Sequence, residues 1–225
     1  MKRIFLAMAF VTLQIATAAA ADASALFSDI PANQWYTRFV SQVVDAGIMS
    51  GYTDDAGKPT GKFGPSDTLT LAQALKIVCE GAGYDEDTYA SSPLWFGTST
   101  HWSAKYLAVA GLEKFQVING PIDLDRPATR AEVAALVSSA FGLGPRMNSA
   151  GMEFKDVDHS GNTKYSFMIA QISADGVMSG DTDANGNYTG YFRPKDGVNR
   201  AEMTKVILAA RAKYGEYGKG RTPKK

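Results

Sequence analysis

The sequence has a single cysteine, Cys79, and only two histidines, His101 and His159, among 225 residues. One cysteine excludes an intrachain disulfide and any site built from several thiolates, and two histidines leave little for a histidine-rich metal centre. No sign of charge is in excess either. The 23 basic groups balance 23 acidic ones, so the chain has no sequence-wide electrostatic footprint of a nucleic-acid binder. The motifs of catalysis are missing as well: no Gly-x-Ser-x-Gly, His-Glu-x-x-His or Gly-x-x-x-x-Gly-Lys-Ser/Thr occurs. A glycosidase-type carboxylate pair is defined by distance in space and stays open, but no enzyme and no cofactor are expected. Cys79 lies in an apolar helical stripe with no assignable base, and reads as a small buried hydrophobe.

Long apolar runs are confined to the N-terminus. Lys2 and Arg3 precede an apolar stretch from Ile4 to Ile15, followed by the small residues Ala18 to Ala21, the pattern of a secretory signal peptide over residues 1–21. An uncleaved anchor is the competing reading; it needs about 20 uninterrupted apolar residues, and Thr12, Gln14 and Thr17 interrupt this run. Cleavage after Ala21 leaves 204 residues carrying 21 basic and 23 acidic groups.

What the rest of the chain contains is repetition. Gly47-Ile48-Met49-Ser50-Gly51 returns 129 positions later as Gly176-Val177-Met178-Ser179-Gly180, and the same offset carries Thr60 to Pro65 onto Thr189 to Pro194 and Thr70 to Gln73 onto Asn199 to Glu202. Upstream, Phe27-Ser28-Asp29-Ile30 answers to Phe154-Lys155-Asp156-Val157. A third copy runs between them from about Trp95 to Phe141, with Val117-Ile118-Asn119-Gly120 at the glycine-rich position.

Each copy ends in a helix start. Thr70 with Gln73, Thr129 with Glu132 and Asn199 with Glu202 have the spacing of a capping box, in which the two side chains satisfy each other's backbone amides. An apolar stripe of helical period follows each, for example Val133, Leu136, Val137, Ala140 and Phe141. A shorter helical stretch such as Phe39, Val40, Val43 and Val44, stopped by Gly47, precedes each loop. The expected unit is therefore helix, glycine-rich loop, helix, with Phe63 and Phe192 plugging the loops into the core. Units this small need neighbours to close a core. The expected fold is mainly α, with copies at 27–84, 93–143 and 152–214 packed as one three-lobed domain, and a disordered basic tail at 215–225.

These words, in this order, resemble the S-layer homology family, whose unit opens with Phe-x-Asp-Val/Ile, passes a Trp or Tyr helix and Gly-Ile-Ile-x-Gly, and closes with Phe-x-Pro and Thr-Arg-Ala-Glu. Thr129-Arg130-Ala131-Glu132 and Asn199-Arg200-Ala201-Glu202 carry the last word. The resemblance implies three tandem repeats in pseudo-threefold packing, located at the cell wall. It also implies noncatalytic binding of an anionic, often pyruvylated, cell-wall polysaccharide in grooves between repeats. Arg130 and Arg200, at the first helical position beside unpaired helix amides, suit a carboxylate, and Trp35, Trp102 or Tyr165 suit a sugar ring face. Other roles stand beside these. The arginines have a second reading as surface ion pairs with Asp125 or Asp196, and the tryptophans are expected first as core wedged between repeats. The caps are helix-start devices. Leu71 and Gln73 replace Arg and Glu in the first copy, so its groove is expected to lack the cationic donor. The same grooves would serve an envelope protein partner or lattice contacts in the alternative reading. Asp181 to Gly186 matches the first half of a calcium loop, but Phe192 stands at the twelfth position, so a polar turn is the default.

Overall fold

The computed structural model describes residues 22–90, 100–144, 153–158, 160 and 163–222. The expected signal peptide, Trp95 and His159 lie outside the described residues. Among the described residues the chain is mainly α. The helices are α1 (Ala23–Leu26), α2 (Thr37–Asp45), α3 (Leu71–Ala82), α4 (Glu86–Tyr89), α5 (Ala104–Leu112), α6 (Arg130–Ala140), α7 (Ser166–Ala174) and α8 (Arg200–Tyr214). Extended segments among the described residues pair through isolated bridges.

The centre is formed by α3, α6 and α8, and each starts as its sequence dictates. The Thr70 hydroxyl accepts from the Gln73 amide at 3.2 Å while the Gln73 side chain accepts from the Thr70 amide at 3.0 Å. Thr129 with Glu132 and Asn199 with Glu202 form the same box, each worth about 1 kcal/mol. The two amides inside each box are also paired, with a loop of another copy. Leu71 and Ala72 donate to the carbonyls of Arg126 and Leu124, Arg130 and Ala131 to those of Asp196 and Pro194, and Arg200 and Ala201 to those of Asp67 and Pro65. Just before the caps, Leu69, Ala128 and Val198 are fully buried, and Leu69 bonds to both of the others through its backbone.

Three of the shorter helices each lean on a long helix of another copy: α2 on α8, α5 on α3, and α7 on α6. Leu75, Leu136, Ile169, Ile172 and Met203 are fully buried between them, each contributing roughly 1.5 to 3 kcal/mol. Cys79 is among these residues, and burial pushes its thiol well above the usual range.

The glycine-rich loops are held down from within their own copies. Phe63 and Phe192 are fully buried, their rings 5.5 Å from Phe27 and 5.1 Å from Phe154. The aspartate of each opening word fixes them there: Asp29 accepts from the amides of Phe63 and Gly64, and Asp156 from those of Phe192 and Arg193. That contact gives the Phe-x-Asp word its physical reason. Gly51 is demanded by a close approach, since a Cβ there would lie 2.4 Å from the Phe27 ring and 2.8 Å from the Lys62 carbonyl.

The expectation of a disordered tail is corrected over residues 215–222. The Gly218 amide donates to the Ala82 carbonyl at 2.7 Å, Arg221 bonds to Glu113 at 2.9 Å, and Glu216 pairs with both Arg211 and Lys219. Tyr217 lies against Gly142, where a Cβ would be 2.0 Å from its ring. The three long-range contacts, made by Tyr217, Gly218 and Arg221, outweigh the local composition on which the expectation rested. No helix among the described residues is long and apolar enough to cross a membrane.

Candidate functional site

Arg200 and Arg130 occupy the first position of α8 and α6, but their guanidiniums reach across to loops of other copies. Arg200 donates from Nε to the Phe63 carbonyl at 2.7 Å and from Nη2 to the Ser50 carbonyl at 2.6 Å. It lies over the rings of Phe63 and Tyr52, 4.5 and 4.8 Å from their centroids. Arg130 repeats this 129-offset geometry one copy away, with Nε to the Phe192 carbonyl at 2.7 Å, Nη2 to the Ser179 carbonyl at 2.9 Å, and its face 4.9 Å from the Phe192 ring. Arg200 is buried at 7% exposure. Burial pulls its guanidinium below the ordinary arginine range, opposed by Tyr52, Asp67 and Asp29.

The surface ion-pair reading of the arginines is therefore corrected. Asp125 faces His101, Asp196 faces Arg193, and both arginine side chains serve loop carbonyls, of which that of Phe63 is buried and would be left without a donor if Arg200 were lost. The helix amides expected to meet an anion are corrected too, because the first two of each helix bond to loop carbonyls and the third to its cap.

Two grooves form around these arginines from matching parts. One, of about 230 Å³, is lined by Arg200, Trp102, the loop from Ile48 to Thr53, and Gln73, Lys76 and Ile77 of α3. The other, of about 430 Å³, is lined by Arg130, Trp35, the loop from Gly176 to Thr182, and Glu202, Lys205 and Val206 of α8. Each draws its arginine, its tryptophan and its loop from three different copies. Trp35 and Trp102 are 53% and 52% exposed, so the expectation that they are wedged as core is corrected: each is a half-open groove wall. Tyr165 stands elsewhere. At φ 63° it begins α7 and lines a third cavity of about 560 Å³ with Phe115, Ile118 and Asn119, away from either arginine; its hydroxyl is buried without a partner.

The missing donor also moves. Leu71 is fully buried and its amide bonds to Arg126 of the middle copy's loop, so it is that loop, not the first copy's, that receives no arginine from a neighbouring copy's helix. Lys76 and Lys205 escaped notice in the sequence. Their signal was the same 129-residue offset, three positions beyond the capping-box partner, where a helix returns to the same face. The calcium-like loop is closed by its own backbone. Asp183 accepts from the amides of Asn185 and Asn187, as Asp54 does from Ala56 and Lys58, where the sequence has no calcium pattern. No cluster of metal-ligating side chains occurs among the described residues.

Residues 26–75 and 153–204 match the family model of the S-layer homology domain. These two segments are similar to S-layer homology domains. The S-layer protein EA1 of Bacillus anthracis is 28% identical over 196 residues, 84% of this chain and 20% of that protein. An S-layer protein of Bacillus licheniformis is 26% identical over the same fractions, and an uncharacterised cell wall amidase of Bacillus anthracis is 23% identical over 86% of this chain and 33% of its own length. The chain thus spans a fifth to a third of these relatives. S-layer homology domains are noncatalytic anchoring modules, and the match supports a general anchoring role at the cell envelope.

Proposed function

We propose that the chain is exported through residues 1–21 and holds on to the cell wall by binding an anionic, pyruvylated wall polysaccharide. In this reading residues 27–84, 93–143 and 152–214 are three S-layer homology repeats closed as one pseudo-threefold helical domain, and Arg130, Arg200, Trp35 and Trp102 are ligand contacts. Tyr165 belongs to a third groove, whose charged wall residue is Lys114. The observation that carries the reading is the pair of grooves assembled from the same parts. In each, a guanidinium, held by two carbonyls, and a lysine stand opposite a half-exposed tryptophan. A carboxylate on a sugar needs these two things together, a charge-assisted donor and a flat apolar wall. What the chain anchors is a separate matter, since its relatives extend far beyond the shared region.

The test is co-sedimentation with purified wall sacculi before and after chemical removal of the secondary polymer. Because the arginines also hold loops, the informative variants are Lys76→Ala/Lys205→Ala and Trp35→Ala/Trp102→Ala. Each double variant should weaken binding by at least about ten-fold with an unchanged melting temperature. Binding that survives both polymer removal and these substitutions would overturn the reading and favour a protein partner in the envelope.

A further inference from the structure

The two grooves differ in charge and in length. The Arg200 groove is lined by Arg200 and Lys76 with no carboxylate: Tyr52 and Gln73 stand where the other groove has Asp181 and Glu202. In the Arg130 groove those two acids match Arg130 and Lys205 in number. Arg193 contacts Asp181, whereas Glu202 pairs with no cation among the described residues and accepts from the Asn199 amide. The Arg130 groove also continues. Trp35 is shared with a neighbouring cavity of about 610 Å³, walled by the amide side chains of Asn33, Gln34 and Gln42 together with one acid, Asp22, and one base, Arg38. The Arg200 groove is the smaller and its lining is cationic, with Asp67 set behind Tyr52, which donates to it at 2.9 Å; the Arg130 side is longer and its lining is balanced.

We propose that the two grooves divide the polymer. The Arg200 groove takes a single carboxylate-bearing sugar, and the Arg130 groove with the cavity beyond Trp35 takes uncharged sugars of the same chain. Neutral amides pair with hydroxyl groups, donor to acceptor and acceptor to donor, without a charge to desolvate. A carboxylate entering the Arg130 groove would face Glu202 in a partly water-excluded site, where like charges repel strongly. The inference rests on the reading that these grooves bind wall polysaccharide.

Trp35 and Trp102 make the division observable, one in each groove. The experiment follows their indole N–H signals by NMR in the full mature chain, assigned by Trp→Phe variants. The probes are the methyl glycoside of a pyruvate-ketal amino sugar and the methyl ester of the same compound. The acid should shift Trp102 at concentrations about ten-fold lower than Trp35, and esterification should weaken the Trp102 response while leaving that of Trp35 unchanged. The decisive variant is the exchange Gln73→Glu/Glu202→Gln. Both residue types already close a capping box in this chain, so the exchange moves one charge between grooves without removing a cap. It should lower acid affinity at Trp102 and raise it at Trp35, each by about three- to ten-fold.

Equal acid affinities at the two tryptophans, tighter binding at Trp35, or indifference to the exchange would overturn the division. Silence at both tryptophans in a chain that still co-sediments with polymer-bearing sacculi would overturn it as well. Loss of co-sedimentation altogether would bring down the polysaccharide reading on which it stands.

Discussion

Arg200 carries two duties that a binding assay alone cannot separate. Its guanidinium satisfies two carbonyls and lies between two rings while 7% exposed, so Arg200→Ala should lower stability by about 2 to 4 kcal/mol. Arg130 makes the same bonds in a more open setting, with one of them exposed, and its loss should cost less. Thermal denaturation of the two single variants checks the order. Glu132 gives a second prediction. Burial would raise its carboxyl, but the hydrogen bonds from Arg126 and from the Thr129 amide outweigh this and hold it below the usual range. A folded-state value below the unfolded one stabilises fully above the unfolded value, near pH 4.5, and that stabilisation is lost as pH falls through the folded value. Glu132→Gln should keep the cap, as Gln73 does, and flatten the acid limb of the stability profile. A profile that keeps its slope would show that other carboxylates carry it.

At the scale of the element, two glycines of one loop make opposite predictions. Gly47 ends α2 at φ +71° with nothing within 4 Å of an added Cβ, so Gly47→Ala should cost about 1 kcal/mol for its left-handed backbone. Gly51→Ala would drive a methyl into the Phe27 ring and the Lys62 carbonyl, and should cost more than about 2 kcal/mol. Denaturant midpoints distinguish the two. The elements themselves were largely legible in the sequence, because a cap, a helical stripe and a buried phenylalanine are local or near-local signals. Which copy's arginine enters which loop was not legible. Periodicity shows that Arg130 and Arg200 are equivalent, but only packing decides that each crosses to a different copy and that Leu71, not an arginine, meets the middle loop. The tryptophans were misplaced for the same reason, since an aromatic at a helix start reads alike whether it faces a neighbour or water.

For the whole molecule the tail is the clearest case of packing overriding composition. Residues 215–222 join the end of α3 to Glu113 of the middle copy through Gly218 and Arg221, and Tyr89 donates to the same Glu113 carboxylate at 2.9 Å. Ending the chain after Tyr214 would leave that carboxylate without its cation and uncover Gly142. The truncated chain should melt several degrees lower, a shift of about 1 to 3 kcal/mol; an unchanged transition would return the segment to the status of a solvated tail.

The amide-to-carbonyl bonds at the starts of α3, α6 and α8 run from the first copy to the middle, from the middle to the last, and from the last back to the first. A stacked array grows by adding a unit to an open end, whereas this circuit closes on itself and offers none. Lengthening such a domain would therefore require a second complete ring, and deleting one copy would leave the helix-start amides of one survivor and the loop carbonyls of the other without partners, so that the damage reaches both remaining copies and is not confined to a third of the molecule.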